Sequence, residues 1–203
     1  MKKVVMNRSL LVESLVLALL VTLGAGVRIV LGPELPNFAP IAAISLFAGY
    51  FFHRWWVAAL APWLSMTIAD AFLGGYEWQM MVIVYAMIML PMVWSGWLRK
   101  WVRLERSSGL AGIVGSVLAL VGCSLVSSVL FFLATNFAWL PWSTMYSHDL
   151  EGLMHCYQQG LPFFRNTLLG DLFFAFALFG SYAFAVSAGW VRGELPQTEL
   201  ARV

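Results

Sequence analysis

Residues 160–180 read GLPFFRNTLLGDLFFAFALFG, a stretch that is mostly hydrocarbon yet carries Arg165, Asn166 and Asp171 at or just inside the start of a long apolar run. A charged group near lipid is costly, by roughly 2.5–3.5 kcal/mol at a helix centre on insertion scales. These groups therefore need something to face, and the answer depends on where the other charges lie.

The 203 residues are 61% hydrophobic, 15% aromatic and only 11% charged. A soluble domain averages about 25% charged residues. The chain therefore reads as a polytopic membrane protein rather than a soluble domain on an anchor. The net charge of +2 says little about partners, because its distribution matters more than its sum. Cys123 lies in an apolar run, where a buried thiol is the default, and Cys156 lies in a polar segment. Two such cysteines give no disulfide framework.

A perpendicular helix needs about 20 apolar residues to span. Six stretches are candidates, at residues 9–31, 38–52, 55–72, 78–97, 110–134 and 167–190, giving an all-α fold of six transmembrane helices in a single integral membrane domain over residues 1–203. The second is short and is expected to tilt little or to thin the bilayer locally. Pro62 is expected to kink the third, and Pro91 lies near the end of the fourth. The first run follows Met-Lys-Lys but is too long for a signal-peptide core, and five more spans follow it.

Orientation follows from the basic residues. With the N-terminus in the cytoplasm, Lys2, Lys3, Arg8, Arg54, Arg99, Lys100, Arg103, Arg106, Arg192 and Arg202 all fall inside, and only Arg28 and Arg165 fall outside. An even number of spans then puts both termini in the cytoplasm of a bacterial inner membrane, and residues 135–166 become one long external loop.

That topology gathers polar residues at the outer face. Arg28 lies near the outer end of the first helix and Asp70 near that of the third. Asp171 lies about one and a half turns below the outer end of the sixth, and Arg165 caps it. Asn37, Tyr76, Glu77, Trp78, Asn136 and Asn166 sit in outer connections or helix ends, whereas Glu13 is the one intramembrane charge of the cytoplasmic half. Two readings compete. The arginines pair with Asp70 or Asp171 and simply lock helix ends together, or the same residues line an outward-facing cavity that holds a ligand.

Other patterns bear on this choice. PNFAP at 36–40 is followed by Asp70, and TNFAW at 135–139 by Asp171, an echo that would suit two related three-helix halves with a site between them. In the fifth helix Gly112, Gly115, Ser116, Ala119, Gly122, Cys123, Ser127 and Ser128 recur at helical spacing, as do Ala18, Thr22 and Gly26 in the first. Small residues let helices approach closely in lipid, so these strips are packing faces or, on the first helix, a contact for another subunit. Residues 147–159 are amphipathic, with Leu150, Leu153, Met154 and Tyr157 on one face. Ser147 as N-cap and Gly160-Leu161-Pro162 as stop would make a short surface helix over the mouth of the cavity.

Several chemistries are set aside. There is no Walker A sequence, no nucleophile–base pair of an enzyme, and no basic aromatic surface for nucleic acid. His148, His155 and Cys156 match no compact zinc pattern. Neither metal nor cofactor is expected.

The stretches PNFAPIAAISLFAGYFF, ADAFLGGY, SSVLFFLATNFAWL and GLPFFRNTLLGDLFF resemble a family of small, uncharacterised bacterial inner-membrane proteins over nearly the whole chain. That family is in turn distantly similar to the substrate-binding S-components of energy-coupling-factor vitamin transporters. The second resemblance implies an S-component-like bundle with its site near the outer face. It also implies a transmembrane coupling subunit with ATPases as partner, docked on small-residue strips. The strip at Ala18, Thr22 and Gly26 fits this loosely, since alanines are expected. Cobalamin-binding members of that class use an outer cysteine, whereas this chain has Met80 and Met81 in that region and Cys156 in the loop.

The sequence therefore points to capture or uptake of a small, vitamin-like solute from the outer side, with Arg28, Asn37, Asp70, Tyr76, Trp78, Asn136, Arg165, Asn166 and Asp171 lining or supporting its site. The alternative is a non-catalytic membrane scaffold of a cell-envelope complex, which needs only the packing strips and the basic segment at 99–106.

Overall fold

The computed structural model describes residues 2–75, 77–102, 110–142 and 144–190, with side chains from Leu10 onward apart from that of Trp142. Tyr76, Arg103, Glu105, Arg106, Arg192 and Arg202 lie outside the described residues, as do the side chains of Lys2, Lys3 and Arg8. The described chain is helical throughout its regular structure. Its helices are α1 (Lys2–Leu31), α2 (Ile41–Phe51), α3 (Trp55–Leu73), α4 (Trp78–Met89), α5 (Pro91–Trp101), α6 (Leu110–Trp139) and α7 (Leu150–Ser187), with a 3-10 turn at Leu140–Trp142. Helices α4 and α5 form one segment, Trp78–Trp101, divided at Leu90 because Pro91 lacks the N–H that would continue the ladder. The fourth segment thus runs four residues past its expected end at Trp97. Five segments are long and apolar enough to cross a membrane, and α2 is the shorter apolar helix.

The short α2 is the centre of the molecule. Eight of its residues, Ile41 and Ala43 to Gly49, are buried, and it packs against α3, α5 and α7. At 11 residues it is about 16 Å long, less than the roughly 30 Å hydrocarbon core. It has no need to thin the bilayer, because protein rather than lipid surrounds it. Protein also satisfies its C-terminal carbonyls. Arg99 of α5 donates from Nε to the Tyr50 carbonyl at 3.0 Å, and from Nη2 to the carbonyls of Gly49 at 2.7 Å and Phe52 at 2.8 Å. A guanidinium is suited to this position, being both a fork of donors and a cation at the negative end of a helix.

The segment expected as a long loop is largely helical. α6 continues to Trp139 and α7 begins at Leu150, passing through Gly160 and Pro162 without stopping. The expected surface helix is therefore the first part of a 38-residue helix, about 57 Å long. Its N-cap is Asp149 rather than Ser147. Asp149 accepts from the Gly152 amide at 2.8 Å and from the Ser147 hydroxyl at 2.7 Å, and these donors hold its carboxyl below the usual range.

The buried face of this part also differs from the apolar face read in the sequence. Leu150 and Met154 are exposed, whereas Gly152, Cys156 and Gly160, spaced four apart, are buried. A side chain at Gly160 would strike Asn136 and Phe132 of α6. Small residues make the helix contact and large apolar ones face outward, the arrangement that lipid favours.

Most of the exposed tryptophans, Trp63 in the middle of α3 apart, mark the ends of the bundle. Trp55, Trp56, Trp97, Trp101 and Trp190 stand at one end and Trp78 at the other, as in the aromatic belts of membrane proteins.

Candidate functional site

Helix α1 crosses α3 closely at Gly24, where a Cβ would collide with Ser65. One turn later the same face of α1 presents Arg28. Its Nη2 donates to Asp70 Oδ1 at 3.0 Å, and Tyr85 of α4 donates its hydroxyl to Asp70 Oδ2 at 2.9 Å. The Asp70 side chain is 5% exposed and that of Arg28 23%. Both carboxylate oxygens are thus satisfied, and three helices are tied at one end. Arg28 also lies in the last turn of α1, where a cation is favoured. Its Nε is buried and has no hydrogen-bond partner.

Asp171 of α7 is buried and accepts a hydrogen bond from Ser128 of α6 at 2.6 Å. The expected partner was Arg28 or Arg165. Arg28 is taken by Asp70, and Arg165 is exposed, about a third of a turn round α7 from Asp171. The reason is helical azimuth. Arg165 lies six residues, or about 240° beyond a full turn, from Asp171, so the two cannot share a face.

Between these two polar groups lies a cavity of about 50 Å³. Its polar lining is Arg28, Asn37, Ser127, Thr167 and Asp171, and its apolar lining includes Met66, Val84, Ile88 and Phe131. Asn37 is exposed at the rim and Asp171 buried. Two local features shape it. Asn37 has φ +65°, a left-handed conformation that asparagine tolerates, in the turn joining α1 to α2. Gly170 lies so close to the Ala39 backbone that a Cβ would stand 3.1 Å from its nitrogen, which lets α7 approach that turn.

The structure brings together Arg28, Asn37 and Asp171, with Asp70 behind Arg28. Asn166 supports the rim, donating from Nδ2 to the Pro36 carbonyl at 3.0 Å. The other sequence candidates stand apart. Trp78 is 70% exposed. Asn136 donates to the Phe132 carbonyl at 2.8 Å and lies against Cys156 and Gly160 in the α6–α7 contact. Tyr76 is outside the described residues.

The echo between PNFAP and TNFAW also dissolves, because the first is a turn before α2 and the second is the last part of α6. Tyr85, Ser128, Ser127 and Thr167 were not among the sequence candidates. Ser127 and Ser128 carried a signal, but small residues in a membrane helix read first as packing positions. No group of three or more His, Cys, Asp or Glu able to hold a metal occurs among the described residues.

Among curated proteins and among solved structures nothing matches the chain. Nothing in these comparisons links it to S-components. The DUF6580 family, described as a family of unknown function, matches residues 8–192, and the chain belongs to it.

Proposed function

We propose that this membrane protein captures a small solute at the Arg28–Asp171 cavity, as the solute-binding part of an uptake system. The observation that carries the reading is that an arginine of α1 and a carboxyl of α7 line one cavity with the exposed Asn37 at its rim. Ion pairs that only lock helices need no such space. The volume of about 50 Å³ favours a solute of few atoms. Pockets for drug-sized ligands run to about 300–1,000 Å³, so a vitamin-sized solute requires the helices around the cavity to part.

The ten-to-two distribution of basic residues supports a cytoplasmic location for both termini of an inner-membrane protein, with the cavity facing outward. Energy for uptake then comes from a partner subunit with ATPases. In a cysteine-free background, a cysteine at Asp149 is expected to react with an impermeant reagent in intact cells and one at Glu105 to resist it.

A scaffold role is the second reading. It is favoured by α1, on which Ala18 and Thr22 are exposed and nothing approaches a Cβ built at Gly26. Native mass spectrometry of gently purified protein separates the two. A retained small molecule supports capture, and protein that carries none, isolated instead with a membrane partner, supports the scaffold.

A further inference from the structure

The cavity's polar groups are asymmetric, and the asymmetry speaks to the solute. On one side, Arg28 has five N–H donors. Asp70 occupies Nη2, and Nε is buried without a partner. Asp70 has nothing more to offer, since its other oxygen accepts from Tyr85. A buried donor without an acceptor is uncommon and calls for one. On the other side, Asp171 has one hydroxyl donor, Ser128, on Oδ2, and no cation within ion-pair distance among the described residues.

Arg28 spends one N–H on Asp70 and keeps others for an anion, while Asp171 keeps Oδ1 for a cation. A lone anion entering the cavity would meet Arg28 and leave Asp171 without a donor on Oδ1, and a lone cation would meet Asp171 and leave the remaining Arg28 donors without an acceptor. A molecule carrying both groups meets each with its complement and adds no net charge. Apolar side chains, Met66, Ile88 and Phe131, stand along the walls where a short hydrocarbon spacer would lie.

We infer that the solute is a small amphoteric molecule, its carboxylate received by Arg28 and its primary ammonium by Asp171. This rests on the capture reading above and assigns the chemical class of what is captured.

The test uses the full chain in detergent, with glycine, β-alanine and γ-aminobutyrate as amphoteric probes and acetate and methylammonium as single-group probes. Thermal unfolding and equilibrium dialysis of labelled probe are both read. At least one amphoteric probe is expected to raise the melting temperature by about 2–4 °C or more near saturation, with neither single-group probe doing so. Arg28→Lys keeps the charge but loses the fork, and Asp171→Asn keeps the shape. Each is expected to weaken that probe's binding about tenfold or more, while both still unfold cooperatively.

Acetate binding as well as the amphoteric probes overturns the inference in favour of an anion site, and methylammonium doing so overturns it in favour of a cation site. Capture itself survives both results. If no probe binds but the purified protein carries another small molecule, the amphoteric assignment falls and capture stands. If it carries nothing either, both fall.

Discussion

Arg28 and Asp70 form an ion pair at 3.0 Å across the α1–α3 contact, with Asp70 almost wholly buried. Breaking a buried pair by removing one partner leaves an uncompensated charge, at a cost of roughly 3–5 kcal/mol. Asp70→Ala and Arg28→Ala are each expected to lower thermal stability strongly, and the double variant to recover part of the loss. The same cycle with Arg28 and Asp171 is expected to be close to additive, because Asp171 leans on Ser128 instead. Melting curves of the five variants measure both couplings. Strong coupling of Arg28 to Asp171 with none to Asp70 would contradict the geometry.

Glycines divide into those that permit a crossing and those that do not. A Cβ at Gly24 meets Ser65, whereas one at Gly122 has nothing within 4 Å. Gly24→Ala is expected to destabilise, since the α1–α3 contact must open and carries the ion pair with it. Gly122→Ala is expected to be neutral or stabilising, because alanine is better than glycine in a helix by about 0.8–1.0 kcal/mol. Equal effects in a thermal unfolding comparison would mean that the two helices do not cross at Gly24.

These relationships were unequally legible in the sequence. The spans showed through because lipid demands apolar residues over a fixed length, and the segments holding Trp55–Leu73 and Leu110–Trp139 satisfy it unmistakably. The gathering of Arg28, Asn37, Asp70 and Asp171 at one end followed from counting helices. Which arginine meets which carboxylate did not, because that depends on the azimuth of each helix about its axis. Neither did the length of α7. Gly160 and Pro162 are ordinary stop signals, but here Gly160 is where α7 presses on Asn136 and Phe132 of α6, so contact with a neighbouring helix overrides local propensity. α2 looked like a short span because hydropathy cannot tell a helix wrapped in protein from one wrapped in lipid.

The Asp149 cap gives a pH dependence with a definite sign. Its carboxyl lies below the ordinary range because the Gly152 amide and the Ser147 hydroxyl donate to it. The stabilisation of the first turn of α7 is therefore fully present above the unfolded carboxyl's pKa of about 3.9. It is lost as pH falls through the lower folded value. Hydrogen exchange at residues 150–153, corrected for intrinsic rates, is expected to show faster opening in Asp149→Ala at neutral pH. The wild type is expected to converge on the variant as the solution is acidified. Indistinguishable protection at neutral pH would show that the cap is not formed.

The central claim is that the space between Arg28 and Asp171 is where a solute resides. Ala42 lines that space without belonging to either polar group, so Ala42→Leu fills it and leaves the ion pair and the Ser128–Asp171 bond in place. Native mass spectrometry of this variant beside wild type and Gly122→Leu, which places the same side chain where a Cβ has nothing within 4 Å, is the most direct test. The account predicts a small molecule carried by the wild type and by Gly122→Leu and lost from Ala42→Leu, with all three unfolding cooperatively. Undiminished retention in a folded Ala42→Leu protein would contradict it.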